Sequence, residues 1–235
     1  MTPGLKDKLF MLCINQEKGD LRYSTYFHHL IFYAAMLELV NRNKVFLSQG
    51  VWTISDQQTG DRVLDEVILI AQKHYVTKSV WFSSNISTRT SKLLSKQVEW
   101  MVENKWIEAT KTSFLGIPTG HRFRIRKPES LRPDLQNLER VLIYGRKPTP
   151  EVWMLIQLLG APKILNQLFR NNEWKQKARK RYKELYNDPP LEQAEAYAAI
   201  VRKLKETVIS SLPQFRRLTH RVDNTHAVLF PMFEI

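Results

Sequence analysis

Met36-Leu37-Glu38-Leu39-Val40-Asn41-Arg42-Asn43-Lys44-Val45 is the stretch on which the reading of this chain turns. Its first half continues an apolar series at helical spacing: Phe27, Leu30, Ile31, Ala34 and Leu37, carried on to Val40. A polar break follows, and then two short β-branched runs, Val45 to Leu47 and Val51 to Ile54. They bracket Ser48-Gln49-Gly50, which is the pattern of a hairpin. The same order recurs at Trp100-Met101-Val102-Glu103-Asn104-Lys105-Trp106-Ile107. There a helix predicted over 90–103 leads into a second hairpin, with arms at 106–112 and 122–127 and a tip at Phe114 to Gly120. Helix, polar break, hairpin, twice over: the chain is helical with hairpins attached.

Outward from these two blocks the pattern stays helical. Residues 4–14 form an apolar run that predicts a short helix, followed by a turn at Glu17-Lys18-Gly19-Asp20. Asp61 is placed to cap a helix through Val63, Leu64, Val67, Ile68 and Ala71, with Asp65 and Glu66 near its positive end. Further helices are predicted over 133–144, 149–159, 162–186 with a break near Asn171-Asn172, and 191–211. No low-complexity linker divides the chain. The expectation is a mainly α fold: a single compact helical domain, residues 1–235, with short β-hairpins, one of them protruding.

Composition limits what such a domain does. The chain has 235 residues, 43% of them hydrophobic, a formal charge of +13 and a pI near 9.8. That excludes disorder on composition and allows a real core. There is one cysteine, Cys13, inside Leu9-Phe10-Met11-Leu12-Cys13-Ile14. A disulfide framework and a multi-cysteine zinc site are excluded, and a buried thiol in a reducing cytosol is expected. Lys6, Asp7 and Lys8 precede the first apolar run, which is wrong for a signal peptide. The apolar stretch from Tyr23 to Leu37 is too short to cross a bilayer and holds His28 and His29. A membrane, if met, is met at its surface, on the cytosolic side.

No catalytic constellation, cofactor motif or metal site can be named, so the expectation is a protein that is not an enzyme. None of the six histidines lies in a metalloprotease-type motif. His28 and His29 are adjacent and point about 100° apart on a helix, which suits a core edge or interface better than a shared metal. Gly116, Thr119 and Gly120 lack the ending of a phosphate-binding loop. Thr59-Gly60-Asp61 with Asp65-Glu66 reads as a capped helix start rather than an acid/base site.

The cations are less anonymous. Arg170, Lys175, Lys177, Arg179, Lys180, Arg181 and Lys183 fall on one predicted helix, and Lys175, Arg179 and Lys183 repeat every four residues on one face. Either this is a solvated face or it docks on a polyanion. Arg122, Arg124 and Arg126 alternate with Phe123 and Ile125, as in a half-buried strand. Between the arms, Phe114, Leu115 and Ile117 are large and apolar in a turn rich in Gly116, Pro118 and Gly120. Such a tip either folds back on the core or is exposed for oligomerisation or membrane contact.

Taken in order, several blocks resemble the Golgi phosphoprotein 3 family. They are Lys8-Leu9, Glu17-Lys18-Gly19, Met36-Leu37-Glu38-Leu39 leading to Arg42-Asn43-Lys44-Val45, Thr59-Gly60-Asp61-Arg62-Val63-Leu64-Asp65-Glu66, Val80-Trp81, Met101 to Ile107, and Phe114-Leu115. The resemblance implies a helical domain with a protruding hairpin that binds membranes peripherally through phosphatidylinositol 4-phosphate. It also implies a short, prokaryote-like member without the disordered N-terminal tail. In Golgi members a tryptophan and three arginines hold the head group. Those positions fall here on Tyr23 and on Phe32, Ser91 and Leu94. Tyr23 keeps the aromatic ring, and Arg22, Arg89 and Lys92 lie close enough in sequence to supply charge. Phe114, Leu115 and Ile117 take the place of the family's hairpin contact with membrane and with further copies.

Three functional readings follow. The first is a peripheral membrane-binding protein that docks on anionic lipid through a basic surface and an apolar hairpin tip. The second is a winged-helix-like nucleic-acid binder, disfavoured because the helix carrying Lys92 and Lys96 also carries Glu99 and Glu103. The third is a lipid-independent interaction scaffold whose charge serves solubility.

Overall fold

The computed structural model describes residues 2–22, 27–49, 51–55, 57–75, 86–114, 117–161, 164–169, 171–186 and 194–219. The fold is mainly helical, with two separate two-stranded antiparallel sheets among the described residues. In chain order the elements are α1 (Leu5–Cys13), α2 (Phe27–Asn41), β1 (Val45–Ser48), β2 (Val51–Ile54), α3 (Arg62–Tyr75) and α4 (Ile86–Glu103). Then come β3 (Ile107–Phe114), β4 (Ile117–Ile125), a 3-10 turn at Pro128–Leu131, α5 (Arg132–Leu142) and α6 (Pro150–Gly160). The chain continues through α7 (Leu165–Leu168), α8 (Asn172–Tyr186) and α9 (Ala194–Thr219). The expected interruption of the long helix near Asn171-Asn172 is present, between α7 and α8.

Helix α2 is the centre. It is apolar nearly all round and buried from Leu30 to Val40, as a helix without a polar face must be. It packs against α1, α3, α4, α6 and α9. The Tyr33 hydroxyl hydrogen-bonds to Thr207 Oγ1 at 2.5 Å, joining α2 to α9. Trp153 Nε1 on α6 donates to the Leu185 carbonyl of α8 at 2.8 Å.

The repeated helix–hairpin junction has one geometry in both copies. In the first, Lys44 N donates to Leu39 O and Asn43 N to Val40 O, with Asn43 left-handed at φ 53°. In the second, Trp106 N donates to Met101 O and Lys105 N to Val102 O, with Lys105 at φ 59°. Each is a Schellman closure: the left-handed residue satisfies the last carbonyls of the helix and turns the chain into a strand.

Two boundaries differ from expectation for physical reasons. Helix α4 begins at Ile86, although Ile86, Thr88 and Thr90 are β-branched; packing against α2 and α3 overrides that weak local preference. Strands β3 and β4 pair as far as Phe114 with Ile117, through residues expected to form the tip. A register shift between Thr112 and Ser113 lets Pro118, which has no N–H to donate, sit inside the ladder.

Helix α1 is stitched in by charge. Lys6 is fully buried, and its Nζ lies 3.0 Å from Asp7 Oδ1 and 2.5 Å from Asp61 Oδ2, with the Trp100 ring centroid 5.6 Å away. Asp7 Oδ1 also accepts from Gln97 Nε2 at 2.7 Å. Burial works against the charged ammonium, but Asp7, Asp61 and Glu38 more than offset it and hold Lys6 above its ordinary value. Two residues on, Lys8 reaches Asp134 at 3.0 Å and Glu151 at 2.8 Å, on α5 and α6. Asp61 does double work, since Oδ1 accepts from Val63 N (2.9 Å) and Leu64 N (3.2 Å) as the expected cap of α3. Removing one partner of a buried ion pair strands the others, so Lys6→Ala is expected to cost about 3–5 kcal/mol in urea unfolding. The exposed Lys18→Ala serves as control, and a loss near that of Lys18→Ala would contradict the assignment.

Candidate functional site

The β3–β4 hairpin has two unlike faces, and its register assigns every side chain. Ile107 pairs with Ile125, Ala109 with Phe123 and Lys111 with His121; Glu108 pairs with Arg124, Thr110 with Arg122 and Thr112 with Gly120. Cross-strand partners share a face. Ile107 and Ile125 are buried, and Phe123 packs edge-to-face on Phe10 of α1 with ring centroids 5.4 Å apart. His121 stacks on Phe123 at 6.1 Å. The opposite face turns Arg122 and Arg124 to solvent, joined at its base by the exposed Arg126, whose Nε is 3.3 Å from Glu108 Oε1. From Thr110 outward on β3, and back to Arg122 on β4, the strands leave the core: Thr110, Lys111, Gly120, His121 and Arg122 are all exposed. The strand pairing beyond Phe123 spans roughly 20 Å.

The hairpin base is held by the turn after α1. Phe123 N donates to the Gly19 carbonyl at 2.6 Å, and Gly19 is left-handed at φ +71°. A Cβ there would lie 3.2 Å from the Phe123 carbonyl oxygen, so both conformation and space call for glycine. Arg22, three residues on, donates its N–H to the Cys13 carbonyl at 3.0 Å. Cys13 is buried as expected; burial pushes its thiol up, with Arg22 pulling slightly the other way.

Of the residues expected to hold a lipid head group, Arg22 and Lys92 are described in full. Arg22 is half-buried at the end of α1, and Lys92 is exposed on α4. Tyr23 and the side chain of Arg89 lie outside the described residues. Of the positions aligned with the family's arginines, Phe32 is fully buried in α2, Leu94 is half-buried on α4, and the side chain of Ser91 is not described. The apolar tip is likewise outside the description: Leu115 entirely, Phe114 and Ile117 in their side chains. On α8, Arg179 and Lys183 are exposed and turned away from the buried Ala178 and Leu185, and Lys175 is half-buried. Among the described residues no cluster of histidine, cysteine or carboxylate side chains could hold a metal.

Two features were not anticipated. Lys6, Asp7 and Asp61 read in sequence as a charged N-terminus and a helix cap; nothing in spacing links positions 6 and 61. And His28 and His29, though adjacent on a helix, bring their ring centroids to 4.1 Å. His29 is buried and its Nδ1 has no partner.

A mainly helical domain with a protruding, base-anchored hairpin and no described helix long and apolar enough to cross a membrane defines the class. The family model for Golgi phosphoprotein 3 (GPP34) matches residues 5–208, and the chain belongs to that family. The match opens at the first residue of α1 and ends inside α9. Comparison with curated proteins finds no match.

The histidine pair gives a pH signature. Burial lowers His29 to about 4, with His28 adding to the shift, and burial lowers His28 as well. A depressed histidine costs nothing above pH 6.5, where both states are neutral. Below it the unfolded chain takes up protons that the folded chain refuses, so stability falls as pH falls from 6.5 toward 4. In urea titrations, His29→Leu is expected to flatten that fall by up to about 1.4 kcal/mol per pH unit. Parallel curves for the two proteins would contradict it.

Proposed function

We propose that this protein is a non-enzymatic, peripheral membrane-docking module that binds the cytosolic face of an anionic bilayer through the β3–β4 hairpin and its basic surface. The observation that carries the reading is the two-faced hairpin. Its inner face is tied to α1, and its outer face presents Arg122 and Arg124 beside a terminus that carries Phe114, Leu115 and Ile117 in sequence. Cations near an anionic leaflet contribute about 1 kcal/mol each, and apolar side chains entering the interface add to that. Membership of the Golgi phosphoprotein 3 family supports the reading. The burial of Phe32, where the family's pocket has an arginine, favours a broadly anionic surface over one head group, phosphatidylinositol 4-phosphate included. Contact between copies through the same hairpin is part of the proposal.

The nucleic-acid alternative is weakened at α4, where Lys92 is exposed but Lys96, Glu99 and Glu103 are paired. Lys96 Nζ is 2.6 Å from Glu66, and Arg62 bridges Glu99 at 3.7 Å and Glu103 at 3.0 Å. A helix face already paired in this way offers little to a phosphate backbone.

The test is sedimentation with phosphatidylcholine vesicles, with and without phosphatidylserine. Binding is expected only to the anionic vesicles and is expected to weaken with salt. Phe114→Asp with Leu115→Asp, and separately Arg122→Glu with Arg124→Glu, are each expected to weaken it by about tenfold or more. Equal binding to neutral and anionic vesicles, or none to either, would sink the proposal.

A further inference from the structure

A second surface has the chemistry of a bilayer interface. Helices α5, α7 and α8 enclose a groove of about 470 Å³, lined by Leu135, Leu138, Glu139, Leu168, Phe169 and Trp174. Its lips are exposed: Leu135 is 41% exposed, and Tyr144, at the end of α5, is 62% exposed. Tyr144 meets Trp174 edge-to-face at 6.4 Å, and Phe169 meets Trp174 at 6.2 Å, so the lips and the floor form one apolar strip. Large apolar side chains are seldom left this exposed in continuous strips on a water-facing surface.

The charges around the strip are mostly cationic. Arg132 lies one turn before Leu135 on the same face of α5, and Arg146 and Lys147 come two and three residues after Tyr144; all three are exposed. Lys175 follows Trp174 on α8. The acids on these helices are mostly committed elsewhere: Asp134 and Glu151 to Lys8, Glu173 to Lys177, Glu184 to Arg181. Glu139, which lines the groove, is the exception. An exposed tyrosine beside a half-buried tryptophan, set among lysine and arginine, is a combination that settles at the head-group level of anionic membranes.

We propose that Leu135, Tyr144 and Trp174 form an interfacial anchor that seats the α5–α8 end of the domain on an anionic bilayer, with Arg132, Arg146, Lys147 and Lys175 against the head groups. This rests on the membrane-docking reading and adds to it a contact distinct from the hairpin.

The probe is the full chain with phosphatidylcholine vesicles carrying phosphatidylserine, some of them containing brominated lipid. Leu135→Asp with Tyr144→Asp is expected to lower affinity by about tenfold, with helical circular dichroism unchanged because both side chains are exposed. Trp174→Phe is expected to remove a measurable part of the bromine quenching of tryptophan fluorescence. Wild-type affinity in the double variant, or unchanged quenching without Trp174, overturns the anchor and leaves hairpin docking standing. Absence of vesicle binding by the wild type overturns both. If the double variant keeps vesicle affinity but loses binding to a synthetic amphipathic peptide rich in leucine and glutamate, the groove belongs to a protein partner and the anchor is again overturned.

Discussion

A lysine ammonium with no exposure to water sets the terms for the rest of this structure. Helix α1 buries residues nearly all round its short length, so no amphipathic stripe fixes its rotation. The charges fix it instead. Lys6 and Lys8 point to opposite sides of the helix, about 200° apart. Lys6 is taken by Asp61 at the head of α3 and by Asp7, itself bonded to Gln97 of α4; Lys8 is taken by Asp134 of α5 and Glu151 of α6. Rotating α1 would part Lys6 from Asp61 and Lys8 from Asp134 and Glu151 at once. Ion pairs of this kind contribute little net stability compared with apolar replacements, and their value lies in excluding alternative packings.

That constraint reaches the hairpin by a short physical path. Phe10, one turn beyond Lys6, is the ring on which Phe123 of β4 packs, and in the turn following α1 the Gly19 carbonyl accepts from Phe123 N. The element that carries the buried lysine is therefore also the footing of the hairpin. A projecting two-stranded ribbon is marginal by itself. Here its base is held by packing on α1 and by the turn that follows that helix.

What could be read in the sequence follows from where the determining interactions lie. The helix–hairpin junctions were legible because their cause is local: an apolar period of 3.6, then Asn43 or Lys105 in the left-handed position, then alternation. The cap at Asp61, the break before α8 and the burial of Cys13 were legible for the same reason. The Lys6–Asp61 pair was not, because it joins positions 55 apart in number and both residues carry an ordinary local role. The apolar strip of Leu135, Tyr144 and Trp174 was not, because each residue taken alone suits a helix facing a core. Strand pairing past Thr112 was hidden by Pro118 and Gly120, which signal a turn until a register shift places them in the ladder. Of the expected head-group residues, resemblance could give positions but not surroundings, and burial of Phe32 is a fact of packing.

The charge of +13 is thus unevenly placed. Around α1 it is paired with carboxylates, and exposed cations gather on the outer face of β4 and on the α5–α8 end. In the docking proposed above, such a distribution answers to surface charge density rather than to the stereochemistry of one lipid. The most direct measurement is the partition of the protein onto vesicles matched in net charge but carrying either phosphatidylserine or phosphatidylinositol 4-phosphate. The account predicts equal partition at equal charge, rising with charge density for both lipids. Much stronger partition onto the phosphoinositide at matched charge, or no dependence on charge at all, would contradict it.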